Sequence, residues 1–337
     1  MTGERALVTG GSGLVGRALV ERLVADGRTV VALARSEHAA EAVRALGATP
    51  ARGDVLDLSS VSAAAAGCAT LFHVAGVNAM CLRDPRPMVT TNVEGSANAI
   101  RAAAASGVGR VVYTSSAATI GEPRGTVGDE ASPHRGRYLS DYERSKHLAE
   151  RSVLALAEGL GVHVVCVNPS SVQGPGRTEG SARLLLELVN GRLRALVDAW
   201  ISLVDIDDCT EGHLLAEVRG APGERYVLSG ASLTTRDAVE ILRGLWGRPE
   251  RVRWLPGPVA SATGALAETW GRLARREVPV CREAVRTLLH GHRYDGSRAE
   301  RDLGLRYTPL EQTLERTLSW YAERGLVPPR RERTDAA

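Results

Sequence analysis

Two rhythms of apolar residues alternate along the first half of the chain. Residues 5–9 (RALVT) form a short apolar run, and residues 10–16 (GGSGLVG) a glycine-rich turn. Residues 17–26 then carry apolar side chains at helical spacing, which together predicts strand, turn and helix. Further strands are predicted at 29–34, 71–74, 111–115 and 162–167, with a short one ahead of Gly53. Ala-rich stretches at 37–46, 93–106 and 141–158 predict helices between them. Strands alternating with helices predict an α/β fold built on a doubly wound parallel sheet.

The rhythm breaks after Pro169. Gly174-Pro175-Gly176 opens a loop, followed by a predicted helix at 181–190, a strand at 202–206 and a helix at 207–217. A strand at 226–229 and amphipathic helices at 235–246 and 311–323 complete the pattern. The expectation is a first domain over residues 1–168 and a smaller, partly interleaved region over 169–327. Part of the latter, about 202–217, is expected to return to the first domain. The polar tail 328–337, with two prolines, is expected to be disordered.

Apolar residues make up 44% of the 337, enough for a sizeable core without covalent staples. The net charge of +3 comes from 42 basic and 39 acidic residues spread along the chain, with one short basic cluster at residues 330–333. Nucleic acid and membrane surfaces are therefore not expected as partners. No charged leader precedes an apolar stretch and cleavage site, and no uncharged run of about twenty apolar residues occurs, so a soluble, unexported protein is expected. The five cysteines (Cys68, Cys81, Cys166, Cys209, Cys281) form no Cys-x-x-Cys, and three sit in apolar surroundings suited to small buried hydrophobes. That usage points to a reducing cytoplasm. His290 and His292 are the one close histidine pair, and without a Cys or carboxylate pattern around them no metal site is expected.

One feature of the basic residues changes the picture: 41 are arginine and a single one, Lys146, is lysine. Ammonium is a compact, rotatable point charge, whereas guanidinium is a broad planar fork. A confined site that must touch a sugar hydroxyl and a phenol calls for the former. Tyr142 lies four residues upstream in YERSK, so a helix puts both side chains on one face.

At the N-terminus, Gly10, Gly13 and Gly16 between strand and helix let the backbone turn sharply and approach a pyrophosphate. Ser12, Leu14 and Val15 supply the intervening backbone. The spacing is Gly-x-x-Gly-x-x-Gly in a strand-turn-helix setting, which favours a dinucleotide over a plain tight turn. The second strand ends at Ala34-Arg35-Ser36, where an acidic residue would suit the 2′-hydroxyl of NAD(H). Arg35 instead suits a 2′-phosphate, so NADP(H) is preferred, with NAD(H) the alternative. Asp54, in Gly53-Asp54-Val55, is placed to accept the adenine amino group.

These segments resemble the extended short-chain dehydrogenase/reductases, and the resemblance runs over nearly the whole chain. It is carried by residues 9–16 (TGGSGLVG), 53–57 (GDVLD), 72–76 (FHVAG), 91–96 (TNVEGS), 112–119 (VYTSSAAT), 142–150 (YERSKHLAE), 168–175 (NPSSVQGP), 203–213 (LVDIDDCTEGH) and 223–230 (GERYVLSG). Within that superfamily the chain is most similar to the dihydroflavonol 4-reductase-like branch, which includes proteins described as hopanoid-associated sugar epimerases. The resemblance implies an NAD(P)-binding Rossmann fold and a Ser-Tyr-Lys catalytic set. Tyr142 would be the general acid or base, and Lys146 would lower its pKa while holding the nicotinamide ribose. Ser116 would hydrogen-bond the reacting oxygen, with Ser115 beside it facing cofactor or substrate. An alignment shift of one residue would exchange the two serines. Asn92 would hold a water or backbone group near the lysine. His73, Ala75, Gly76, Pro169 and Ser171, with Asp54 and Val55, are implied cofactor contacts. For the strand-end and loop positions among them, ordinary packing is an equal alternative.

The reaction expected first is NADPH-dependent reduction of a ketone or aldehyde on a fairly apolar small molecule. Met80, Cys81, Val172, Trp200 and Ile201 are the candidate pocket residues, with core packing the alternative for Trp200. A nucleotide-sugar 4-epimerase with tightly held NAD is the second reading, with Arg177, Arg183, Arg192 and Arg194 available for a diphosphate. Ala117-Ala118 stand where a dehydratase would want an acid pair, which disfavours dehydration. A non-enzymatic NADP-sensing or scaffold protein is the third. The resemblance implies a monomer, or a homodimer through two long helices that include 141–158.

Overall fold

Seven parallel strands set the frame of the molecule. The structure is a computed structural model and describes residues 4–249, 251–274, 276, 278 and 280–330. The first half runs β1 (Arg5–Thr9), α1 (Leu14–Ala25), β2 (Thr29–Ala34), α2 (Glu37–Arg44), β3 (Thr49–Arg52), α3 (Leu58–Ala65), β4 (Thr70–His73), α4 (Arg86–Ser106) and β5 (Arg110–Thr114). A short 3-10 turn, Ala117–Ile120, precedes α5 (Asp141–Leu160) and β6 (Val164–Pro169). The second half runs β7 (Ser171–Gln173), α6 (Ser181–Val189), β8 (Ala195–Leu196), β9 (Trp200–Asp205), α7 (Ile206–Arg219), β10 (Arg225–Leu228) and β11 (Ala231–Thr234). It ends with α8 (Thr235–Trp246), β12 (Arg253–Trp254), α9 (Gly257–Ala274), α10 (Arg282–His290) and α11 (Leu310–Glu323).

The large sheet has the order β10-β6-β5-β4-β1-β2-β3, all parallel. β1 pairs with both β2 and β4, Leu7 standing opposite Val31 on one side and Leu71 on the other. The chain changes winding direction there, which opens a crevice at the strands' carboxyl ends. Both sheet faces are covered. Leu19, Val20 and Leu23 of α1 join Cys209 and Ala216 of α7 on one face. Ala99, Ile100 and Ala103 of α4 join Ala149 and Val153 of α5 on the other. Burial on both faces is why the strands read as continuous apolar runs rather than alternating ones.

The second half supplies a smaller layer. β7, β9 and β11 form a three-stranded sheet, β8 and β12 a two-stranded one. Leu188, Val239, Leu242, Trp246, Leu318 and Tyr321 build a separate core from α6, α8 and α11. α7 and β10 belong to the first layer: β10 extends the large sheet beyond β6, with Leu228 opposite Pro169.

Several elements differ from the sequence expectation. α4 begins at Arg86, well before residue 93, because Pro87 is compatible with a helix's first turn. α9 was not anticipated at all. Its buried positions are Ala260, Gly264 and Gly271 while its large apolar residues face outward, so it lacks the usual core-facing signature. Of the tail, Pro328 is anchored by a hydrogen bond from Trp246 Nε1 (2.9 Å), contrary to the expected disorder; residues 331–337 lie outside the described residues.

Cys68, Cys166 and Cys209 are buried free thiols, matching the three small hydrophobes expected. Cys81 and Cys281 are joined in a disulfide, which their separation of 200 residues concealed. Reducing-compartment usage therefore does not describe all five. Alkylation of the protein unfolded without reductant should label three cysteines, and five after reduction. Five labelled without reductant would contradict the cross-link.

Candidate active site

The glycine turn between β1 and α1 is shaped by close backbone approach. Gly10 has φ +71°, and a Cβ there would stand 2.7 Å from the Ala75 amide nitrogen. A Cβ on Gly16 would overlap the Gly10 carbonyl, so both positions exclude any side chain. Gly13 caps α1 without a side-chain hydrogen bond, leaving first-turn amides available to an anion. Ser12 is exposed there, with Leu14 and Val15 half-buried in the first helical turn. Arg35 lies exposed at the end of β2 and joins no hydrogen bond or ion pair among the described residues. Asp54 Oδ1 accepts from the Leu56 amide (2.9 Å), and Val55 is buried beside Gly95. A cradle that any Cβ would fill, beside an uncapped helix start, fits a dinucleotide phosphate.

At the other side of the crevice, α5 starts on a Ser140 cap and carries Tyr142 and Lys146 one turn apart. Lys146 Nζ donates to the Thr114 carbonyl (2.8 Å) and lies 3.4 Å from Tyr113 Oη. Only 5% of Lys146 is exposed, so burial pulls its ammonium from 10.5 down to about 8 against the opposing pull of Glu150. Gly76 lies beside it: a Cβ there would stand 3.8 Å from Nζ, an ordinary contact, and 3.3 Å from Asn92 Oδ1. Asn92 holds the backbone beside the lysine. Its Oδ1 accepts from the Val77 amide (2.7 Å), and its Nδ2 donates to Val77 O (3.0 Å) and Ser145 Oγ (2.8 Å).

Tyr142 is partly buried, which raises its pKa, while a hydrogen bond with Ser116 and the charge of Arg177 pull it back. Arg177, whose own pKa burial lowers, is thus a second cation acting on the phenol. Ser116 Oγ also accepts from the Ala118 amide (3.3 Å) as the cap of the 3-10 turn. Of the two serines, Ser116 is the one that reaches Tyr142. Ser115 Oγ is buried with no partner among the described residues.

The remaining candidate residues make mainly protein contacts. The His73 side chain is fully buried between Thr9 Oγ1 (2.8 Å) and Ser96 Oγ (3.1 Å). Burial and then Lys146 push its pKa to about 3, so it is neutral. Ala75 donates its amide to Thr9 Oγ1 (3.2 Å). Pro169 ends β6 inside the sheet, and Ser171 Oγ lies 2.7 Å from Ser181 Oγ. Val172 is 8% exposed and packs in the first core with Val204 and Ile206, which removes it from the pocket. Met80 is exposed next to the cross-linked Cys81. Trp200, 39% exposed, lies beneath the Arg293 guanidinium at 4.8 Å, so core packing does not describe it.

The neighbours of Tyr142 and Lys146, Arg177 and Tyr113, were not expected there from the sequence, and neither carries a local signal for it. Nor was Glu122, which folding brings to His290 and His292 from 170 residues upstream. Its Oε1 accepts from His292 Nδ1 (2.6 Å), and the group is buried. The carboxylate absent from the local sequence around this pair is therefore supplied by the turn after Gly121. Burial would raise the Glu122 carboxyl, but hydrogen bonds from His290 and His292 outweigh it and hold it down from 4.5 to about 2.

Residues 6–229 match the model of the NAD dependent epimerase/dehydratase family. "Sterol demethylase protein B" of Methylococcus capsulatus is 31% identical over 326 residues, covering 95% of this chain and 99% of that protein. The 4-hydroxy-2-methyl-3-oxo-4-farnesyl-3,4-dihydroquinoline-1-oxide ketoreductase of Stigmatella aurantiaca is 33% identical, over 89% of this chain and 91% of its own. The crystal structure of gox2253 superposes with a TM-score of 0.84 at 29% identity, over 96% and 99% of the two chains.

The Glu122 carboxyl is depressed in the folded state. Its contribution to stability is therefore complete above about 4.5 and is lost as the pH falls toward about 2. The melting temperature of Glu122→Gln should accordingly fall less steeply than the wild type's between those values. Parallel curves would contradict the ionised Glu122–His292 pair.

Proposed function

The chain belongs to the NAD dependent epimerase/dehydratase family, extended short-chain dehydrogenase/reductases that are NAD(P)-dependent oxidoreductases, and from that premise we propose that it reduces a ketone or aldehyde of an apolar small molecule with NADPH. What supports this reading is Ser116 beside the Tyr142 phenol, with Lys146 one turn further along α5 on the Thr114 carbonyl, in a chain that also carries the glycine cradle. Arg35, exposed at the end of β2, supports the 2′-phosphate preference. Ala117-Ala118 beside Ser116 offer no acid pair for dehydration. The Stigmatella relative, named as a ketoreductase of a farnesyl compound, supports an apolar ketone.

Residues 10–16 would hold the pyrophosphate, Arg35 the 2′-phosphate and Lys146 the nicotinamide ribose, with Ser115 Oγ free to hydrogen-bond. Bound there, the nicotinamide would supply hydride to the carbonyl carbon. Tyr142 would give its proton to the carbonyl oxygen, and Ser116 would hydrogen-bond the same oxygen, polarising the bond before transfer. Burial raises the Tyr142 pKa, which keeps the phenol protonated and so suits it to the acid role in reduction. Asn92 would fix the Val77 backbone and α5, and thereby the position of Lys146.

Two measurements test this reading. With NADPH and a panel of apolar ketones, Tyr142→Phe should lose roughly 100- to 10,000-fold in turnover with cofactor affinity unchanged. Retained reduction would move the proton donor elsewhere, Tyr138 being next in line. Lys146 acts as the ammonium, and its lowered pKa means that this form is lost as the pH rises through about 8. kcat/KM for NADPH, which reports the free enzyme, should fall across that range; a flat profile to pH 10 would contradict the buried ammonium's role.

A further inference from the structure

α9 is built inside out. It packs through small residues: a Cβ on Gly264 would stand 2.8 Å from Val285, and one on Gly271 would stand 2.6 Å from Val278. The helix therefore lies against α10 and the chain leading to it. Its large apolar residues Val259, Leu266, Trp270 and Leu273 are left 48%, 72%, 58% and 81% exposed. At 3.6 residues per turn these four fall within a sector of about 60°, with Glu268 and Arg272 on the opposite side. A contiguous apolar stripe of this kind on a surface helix marks an interaction site.

The charge around the stripe indicates what covers it. Residues 251–290 hold seven arginines and three glutamates, with no lysine or aspartate, a local excess of +4 in a chain whose total is +3. The even balance of the whole chain, which spoke against a membrane surface, hides this concentration. Arg272, Arg276 and Arg282 are exposed at the C-terminal end of α9 and just beyond it. A second copy of the chain packed stripe to stripe would bring two such arginine-rich rims together, which like charge opposes.

We propose that α9 docks on the surface of an anionic lipid bilayer. The apolar stripe inserts at the boundary of headgroups and acyl chains, Trp270 at the level where its amphipathic ring is favoured, and Arg276 and Arg282, beyond the end of the helix, lie on lipid phosphates, while Arg272 on the far side pairs with Glu268. No helix among the described residues is long and apolar enough to cross a membrane, so the attachment is peripheral. The inner side of the same helix helps line a cavity of about 620 Å³ that also touches Tyr138 and Asp141 at the start of α5. That cavity is lined largely by arginines and carboxylates, among them Arg144, Glu268, Arg282 and Glu283, so it is not assigned to an apolar substrate. Attachment to lipid does not rest on the proposed reductase activity.

The test is co-sedimentation of the full chain with phosphatidylcholine vesicles, with and without phosphatidylglycerol. The wild type should bind the phosphatidylglycerol vesicles, more weakly in high salt, and bind pure phosphatidylcholine less. Leu266→Glu/Leu273→Glu, at exposed positions that leave the fold intact, should lower vesicle affinity at least about tenfold, since two large apolar side chains no longer insert. The same variant should keep the wild-type melting temperature and the wild-type rate on a small water-soluble ketone. Absence of wild-type binding to phosphatidylglycerol vesicles, or equal binding by the variant, would overturn the proposal. So would a wild-type dimer that the variant converts to monomer in light scattering without vesicle binding, which assigns the stripe to a second copy. Vesicle binding without reduction of any ketone would refute the reductase reading alone.

Discussion

The site depends on burying one ammonium at the carboxyl edge of a parallel sheet. Lys146 Nζ reaches the last carbonyl of β5 only because α5 lies close over the sheet, and Ala149, Val153 and Ala157 on its buried face permit that approach. A guanidinium needs more room than the slot between Thr114, Tyr113 and Gly76 provides, which gives a physical reason for one lysine among 41 arginines. Burial lowers the ammonium's pKa, so the Thr114 carbonyl and the nearby Glu150 are needed to keep the charge in place.

A buried polar network carries this geometry across the fold. Glu150, one turn beyond Lys146, accepts from Thr119 Oγ1 (3.1 Å) and Asn168 Nδ2 (2.6 Å) and pairs with Arg225 (3.1 Å). One carboxylate thereby links α5, the turn that follows Ser116, β6 and β10. The return of β10 from the second half of the chain is part of what holds Ser116 and Tyr142 in register, rather than a mere extension of the sheet. Sites held by hydrogen-bonded networks on strands and helices keep their geometry better than sites on loops, although Asn168 Oδ1 in this network has no partner among the described residues.

Most of the large sheet was legible because its central strands are apolar runs bounded by glycines or caps; the polar edge strand β3 gave only a weak signal and α3 gave none that was read. Gly10, Gly13, Gly16, Tyr142 and Lys146 were legible because their chemistry is local, either one turn of helix or one loop. What stayed hidden is non-local. Glu122 meets His292 across 170 residues, Cys81 meets Cys281 across 200, and Arg177 comes to Tyr142 from another element. Val172 was misjudged for a related reason: a short strand's apolar residue faces core or cleft according to pairing, which composition does not encode. α9 inverts the usual rule, burying glycine and alanine and exposing leucine and tryptophan, so a search for buried periodicity passes over it.

The most direct test of the account is the identity and exchangeability of the nucleotide. Purified protein would be denatured and anything released identified; nucleotide-free protein would then be titrated with NADPH and NADH by fluorescence. The account predicts exchangeable binding with clear preference for NADPH, arising from Arg35. NAD(+) retained through purification and released only on denaturation would contradict it, and would point to an epimerase that recycles its own cofactor.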